Sequence, residues 1–314
     1  MEDGVIRVGL LGCGHVGAAL ARLLLDDGDA IESRTGLHLE LAAVAVRTLS
    51  RERAVELPAG VLTNDAHAVV NDPGIDVVVE VIGGIEPARG LILQALKGAK
   101  PVVTANKELL ANVASELFEA ASASGVDLLF EAAVCGGIPL IRPLRESLAG
   151  ERIRRIMGIV NGTTNYVLTK MEAGADYHEA LAEAQRLGYA ERDPTADVDG
   201  YDAAAKAAIL ASVAFGSRVV AGDVYREGIA DITVDDINFA RSLGYVIKLL
   251  AVIEETAPGQ VAVRVHPAMI PATHPLASVR DSFNAVFIEG DAVGELMFLG
   301  RGAGGMPTAS AVLG

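Results

Sequence analysis

The sequence predicts an α/β chain: a doubly wound parallel sheet comes first and an α+β domain follows. Three observations carry this. Apolar strand-like runs alternate with helical stretches over residues 6–131, as in a parallel sheet with helices on both faces. A glycine turn of the form GxGxxG joins the first run to the first helical stretch. Beyond about residue 222 apolar strands recur without regular helices between them, the sign of an antiparallel or mixed sheet.

The first strand is expected over residues 6–11, and GCGHVG over 12–17 with AALARLLLDD behind it completes a strand–turn–helix unit. Each part of that turn has a physical use. Gly12 permits the tight turn, Gly14 lets a pyrophosphate approach the backbone, and Gly17 lets helix and strand pack closely. Cys13, His15 and Val16 then present the amides of the helix start, whose dipole favours an anion. This is the dinucleotide turn of a Rossmann-type sheet. A second strand over residues 39–46 ends in Arg47-Thr48, with Arg51 and Arg53 close behind, where an NAD-preferring site would carry an acid. Arginine there favours a 2′-phosphate and hence NADP, with NAD left open. Residues 75–81 form a third apolar strand that delivers Gly83 and Gly84 to its carboxyl edge. A helix follows to about Lys97. Residues 101–104 form the next strand and bring Thr104, Ala105, Asn106 and Lys107 to the same edge, where open α/β sheets bind ligands. A cation at the start of the helix that runs on to about Ser124 needs an anionic partner, because the helix dipole disfavours it there. Residues 126–131 close the series as the last strand.

The chain then leaves through AAVCGGIP, residues 132–139. A helix is expected to about Leu148 and a strand over 152–160, ending in NGTTN at 161–165. Gly162 and Thr163 in that cluster read equally as an anion or amide site and as an ordinary helix cap. A helix over 177–187 leads into GYAERDPTADVDGYDAAAK at 188–206, a turn-rich acidic loop running into an alanine-rich helix. Asp202 and Lys206 are four residues apart and so share one face of that helix. Taken alone, such a pair is most simply an exposed ion pair worth a few tenths of a kcal/mol. Further elements are a helix near 234–243 and strands near 245–253, 261–265, 285–288 and 296–299. The chain ends in GRGAGGMPTA, including Gly304, with a last helix expected to stop after about one turn, as if cut short. The expected domains are residues 1–135 for the dinucleotide, 136–299 for substrate and dimerisation, and 300–314 returning to the first.

Composition narrows the function. Asp and Glu outnumber Lys and Arg by 41 to 26, for a net charge of −15, which argues against a nucleic-acid partner. Hydrophobic residues make up 51%, yet no apolar run approaches the ~18 residues of a membrane helix. The N-terminus lacks the basic start and apolar core of a secretion signal, and two distant cysteines, Cys13 and Cys135, suit free thiols in a reducing cytoplasm. Apolar surface in the second domain points to a homodimer.

In order, GLLGCGHVG, VIGG, VTANKELLA, FEAAVCGGIP, GIVNGTTNYVLTKM, GYAERDPTADVDGYDAAAK and GRGAGGMPTA resemble homoserine dehydrogenase over nearly the whole chain. The resemblance implies NAD(P)H-dependent reduction of L-aspartate 4-semialdehyde to L-homoserine, a step toward threonine, methionine and isoleucine. It implies Lys206 as proton donor with Asp202 beside it, and Lys107 at the reacting centre. Glu191 and Asp197 would hold the substrate, with Tyr189 close in sequence. A monovalent cation such as sodium would sit on main-chain carbonyls of Glu131, Val134, Gly136 and Ile138. That chemistry suits the residues: hydride arriving at an aldehyde carbon makes an alkoxide, which needs a proton and a positive charge. Two other readings stay open at this stage. One is a nicotinamide oxidoreductase for a different small carbonyl. The other is a non-catalytic nucleotide sensor, which leaves the acidic loop and Lys206 without a purpose.

Overall fold

The computed structural model describes residues 4–314. They divide into two compact units, one of residues 4–137 with 304–314 and one of residues 138–303.

The first unit is built on a six-stranded sheet, all of whose pairings are parallel. Its elements in chain order are β1 Val5–Leu11, α1 His15–Asp26, α2 Gly28–Thr35, β2 His38–Ala45, β3 Leu62–Thr63 and α3 Ala66–Asn71. Then come β4 Val77–Glu80, α4 Ala88–Lys97, β5 Val102–Thr104, α5 Lys107–Ser124 and β6 Leu128–Leu129. The spatial order β3-β2-β1-β4-β5-β6 reverses between β1 and β4. That reversal opens a crevice at the carboxyl ends of the strands. Register places Leu11 opposite Glu80, and Glu80 opposite Thr104, so three strand ends line up at that edge. The central strands are apolar because helices cover them. Leu10, Val44, Val79, Leu20 and Leu24 share one core, each worth roughly 1.5–3 kcal/mol of burial. α11, Gly305–Leu313, returns to this unit and packs on α1, adding Ala309 and Val312 to the same core.

The second unit has a six-stranded mixed sheet in the order β12-β11-β7-β9-β10-β8. Its strands are β7 Ile153–Ile159, β8 Tyr225–Arg226, β9 Tyr245–Ala257, β10 Gln260–Pro271, β11 Phe283–Gly290 and β12 Gly294–Arg301. All pair antiparallel except β10 with β8. Its helices are α6 Gly162–Glu172, α7 Tyr177–Arg186, α8 Thr195–Val198, α9 Tyr201–Phe215 and α10 Val234–Ser242. α9 lies against β9 and β10, and buried Ala203, Ala204, Ala207, Ala208 and Ala211 let it approach closely. Met157, Val252, Phe287, Leu250 and Ile159 form a core with Leu276 and Ala277 of the short turn Pro275–Ser278.

Several elements differ from the sequence reading. The strand expected over 126–131 pairs only at Leu128–Leu129, and Glu131–Ala133 is a 3-10 turn. The helix expected before Leu148 is a single π-helical turn, Pro143–Ser147. The last helix does not stop after one turn. It begins at Gly305, ahead of Pro307, and runs nine residues, because a proline in the first turn loses no intrahelical bond. β3, β8, α2, α3 and α8 carry too few patterned residues to announce themselves.

Candidate active site

In the first unit the GxGxxG turn meets the steric demands of its motif. Gly12 has φ +101°, and a Cβ there would lie 2.9 Å from the carbonyl oxygen of Val81. A Cβ on Gly17 would lie 2.1 Å from the carbonyl oxygen of Gly12, whereas Gly14 faces open space. Gly14 is the N-cap of α1 with no side-chain cap, so the first amides of the helix, beginning at His15 and Val16, are left to an anion. Gly304, at φ +122°, caps α11, and the next residue, Gly305, abuts the His15 carbonyl.

Arg47 is exposed just past the end of β2. Arg53 folds back on its own loop, donating to the carbonyls of Thr48, Leu49 and Arg51 at 2.6–3.0 Å. Its charge opposes the burial that pushes the Cys13 thiol up. At the carboxyl edge, the Thr104 hydroxyl donates to Glu80 Oε2 at 2.6 Å, and Glu80 Oε1 accepts from the amides of Ile82 and Gly83. The Thr104 hydroxyl is therefore engaged inside the protein. The Asn106 side chain caps α5 through the Leu109 amide and donates to the Gly84 carbonyl. Ala105 leads into that cap, and Lys107 is the first residue of α5, exposed. The loop carrying Glu131, Val134, Gly136 and Ile138 turns through left-handed Cys135 (φ 55°) and Gly136 (φ 38°). Val134 and Ile138 are fully buried. Among the described residues no cluster of three or more His, Cys, Asp or Glu side chains could hold a metal ion.

In the second unit the Asp202–Lys206 pair is not the exposed ion pair that its spacing alone suggests. Each residue is 7% exposed, and Lys206 Nζ lies 2.7 Å from Asp202 Oδ2. The ammonium also donates to the Val160 carbonyl, just beyond β7, at 2.7 Å. Burying either charge alone would be costly, and the pair with its hydrogen bonds offsets that cost. Beside it, Asn161 Nδ2 donates to Asp197 Oδ1 at 2.7 Å and to Asp202 Oδ2 at 2.8 Å. Burial pushes the Asp197 carboxyl up, the Asn161 hydrogen bond opposes this, and the Asp202 charge adds to the rise. Gly162 opens α6 against the Ser282 carbonyl, 2.6 Å from where a Cβ would stand. The Thr163 hydroxyl donates to the Tyr189 carbonyl at 2.6 Å, and the Tyr189 ring leans on Tyr166. Glu191 is exposed on the same loop, tied by Gln185 Nε2 to its main chain. The structure thus joins Lys206, Asp202 and Asp197 through Asn161, and Thr163 with Tyr189.

Sequence reasoning passed over Glu80 and Lys248 as working residues and read Asn161 only as one member of the polar cluster 161–165, an anion or amide site or a helix cap. Asn161 had a signal as the residue ahead of a helix. Lys248 is wholly buried in a strand, held by the Val279 carbonyl and Asn165 Oδ1, and nothing in the local pattern marks it.

A buried ammonium paired with a carboxylate can hold and release a proton, and the glycine turn of the first unit can hold a dinucleotide pyrophosphate. Comparison with known proteins bears on the second of these and on the family. A family model described as homoserine dehydrogenase matches residues 139–314, and one described as its NAD binding domain matches residues 12–131. The chain is 54% identical to homoserine dehydrogenase of Corynebacterium glutamicum, covering 98% of this chain and 70% of that protein. It is 48% identical to that of Bacillus subtilis, covering 98% and 71%. A solved homoserine dehydrogenase from Thiobacillus denitrificans superposes with a TM-score of 0.94 at 47% identity, over 98% of this chain and 72% of that one. A hyperthermophilic archaeal homoserine dehydrogenase in complex with NADPH gives 0.81 at 28% identity, over 98% and 95%.

Proposed function

The chain belongs to the homoserine dehydrogenase family, and we propose that its proton chemistry is run by the buried Lys206–Asp202 pair of the second unit. It is an NAD(P)-dependent oxidoreductase acting on a CH–OH group, interconverting L-homoserine and L-aspartate 4-semialdehyde in the aspartate pathway. In the reducing direction the aldehyde takes a hydride at carbon and a proton at oxygen, giving the alcohol and oxidised cofactor. The nicotinamide, when bound, supplies that hydride. Lys206 Nζ holds the proton for the developing alkoxide, and Asp202 keeps the ammonium charged in a buried setting. In the oxidising direction the same amine accepts the proton. Glu191 and Asp197 offer carboxylates to the substrate ammonium, and Tyr189, Gly162 and Thr163 shape that loop. Lys107, at the carboxyl edge of the first unit's sheet, stands with the cofactor and shares in stabilising the oxygen.

The first unit fits a dinucleotide, since Gly12 and Gly17 occupy cradles that a Cβ would fill. Arg47 favours NADP over NAD, because its guanidinium is exposed beyond β2 while Arg53 stiffens the loop behind it. A monovalent cation such as sodium is suited to the 131–138 loop in kind. Hard cations take oxygen ligands, and left-handed Cys135 and Gly136 turn main-chain carbonyls in a buried setting. Exposed Phe239, Leu243, Tyr245 and Met269 supply apolar surface for a homodimer. No described helix is long and apolar enough to cross a membrane, and the cytoplasm is the proposed place of work.

The observation that carries the mechanism is the 2.7 Å contact of two buried, opposite charges. Lys206→Ala is expected to lower kcat by roughly 10²–10⁴-fold while the Kd for NADPH stays near that of the parent. Parent-like turnover in this variant would remove Lys206 from the role of donor.

A further inference from the structure

α6 begins where β7 ends, and its cap is Asn161, whose Oδ1 accepts from the Thr164 amide at 2.9 Å. A cap uses only the oxygen of an asparagine. The nitrogen of this one points the other way, to Asp197 Oδ1 and Asp202 Oδ2, 36 and 41 residues along the chain. Asn161 itself is 4% exposed. One rigid amide therefore spans a helix start and two carboxylates, and the residue before it, Val160, receives the Lys206 ammonium through its carbonyl. The turn is anchored from behind as well. Asn165, one helical turn along, donates to the carbonyls of Val279 and Phe283 and accepts from the buried Lys248 ammonium at 3.2 Å. Gly162 packs on Ser282 of the same segment.

We propose that Asn161 is a positioning residue for proton transfer, its amide holding the carboxylates of Asp202 and Asp197 in the geometry that keeps Lys206 aimed and charged. This rests on the reading of Lys206 and Asp202 as the proton-transfer pair. Two carboxylates close together repel, and a neutral double donor between them offsets that repulsion without competing for the Lys206 proton. The charged groups facing Asp197 are Asp202 and Lys206. An aspartate or serine at position 161 would cap α6 as well as asparagine does. Neither can give two hydrogen bonds from one nitrogen, so capping alone does not explain the residue.

The test separates the cap from the amide. Asn161→Ser keeps a cap oxygen and loses the double donor. Asn161→Asp keeps size and cap and sets a third carboxylate against the other two. Thermal unfolding, NADPH Kd, and kcat and kcat/KM for homoserine across pH are measured for both beside Lys206→Ala. Losing a donor to an ionised carboxylate raises its pKa, so the acid limb of kcat/KM moves to higher pH, by about one unit for Asn161→Ser and further for Asn161→Asp. At neutral pH kcat falls roughly tenfold or more, with NADPH Kd close to the parent's; the melting temperature stays near the parent's for Asn161→Ser and falls for Asn161→Asp, whose added carboxylate is buried against two others. A simple capping role predicts instead that both variants keep the parent's pH profile and kcat, and that result overturns the proposal even if Lys206→Ala is inactive. Should Lys206→Ala itself keep turnover, the fault lies in the reading of the pair, and the proposal falls with it.

Discussion

Replacing Lys206 and Asp202 singly and together separates what the pair does for stability from what it does for chemistry. Lys206→Met leaves a carboxylate that is 7% exposed, with Asn161 still donating to it and the Val160 carbonyl without its donor. Breaking a buried pair in this way costs about 3–5 kcal/mol. The retained Asn161 bond puts this case near the lower end. Asp202→Leu leaves the ammonium with Val160 and should cost about the same. In the double variant neither member of the pair is left without the other, Asp197 keeps its Asn161 bond, and the main new penalty is the Val160 carbonyl, about 1–3 kcal/mol. The singles should therefore sum to roughly 6 kcal/mol or more and the double to about half that or less, a coupling of at least ~3 kcal/mol. Native-state hydrogen exchange of the α9 amides reads the stability of the second unit directly. The double variant is also expected to have lost turnover, which would show the pair retained for chemistry rather than stability. If the double variant's loss equals the sum of the singles within about 0.5 kcal/mol, the two side chains do not act as a buried pair and the stability reasoning is wrong.

The remaining expectations concern the dinucleotide turn and the buried lysine. Gly17→Ala must force a methyl against the Gly12 carbonyl, which cannot yield as a side-chain tip could, so it should destabilise the first unit by roughly 1–3 kcal/mol despite alanine's helix preference. Gly14→Ala meets nothing within 4 Å and should melt like the parent while binding NADPH much more weakly; titration calorimetry beside thermal melts checks both, and equal melting of the two variants would refute the packing argument. Burial holds the Lys248 amine below its ordinary value, with Glu172 opposing. The unfolded chain then binds the extra proton between the folded value and about 10.4, so this group makes stability rise with pH across that window. Lys248→Met should lack that slope in urea midpoints taken at several alkaline pH values, and an unchanged slope would show that Lys248 does not titrate as its burial demands.

Much of the first unit was legible because its cues are local. The glycines of 12–17 sit between a strand and a helix, and the residues expected to meet the cofactor, such as Gly83 and Lys107, follow closely on the carboxyl ends of β4 and β5. The acidic loop and the 202–206 spacing likewise placed two side chains on one helix face. Exposure was the weak point. An ion pair four residues apart looks the same in sequence whether water or a sheet covers it, and here β9 and β10 lie against α9. The link from Asn161 to the two carboxylates was missed for a related reason. Its oxygen follows a local capping rule, but its nitrogen serves residues far along the chain.

By itself the sequence determined the order of the main elements, the dinucleotide turn, the family and the residue types available for proton transfer, since periodicity, glycine geometry and motif order need only neighbours along the chain. The tertiary structure decided which of those residues share a buried pocket of charge, that Glu80 engages the Thr104 hydroxyl, and that Lys248 lies wholly inside the second unit. Burial and long-range hydrogen bonds depend on which distant segments meet, and a charge or an amide changes its energetics by several kcal/mol when they do.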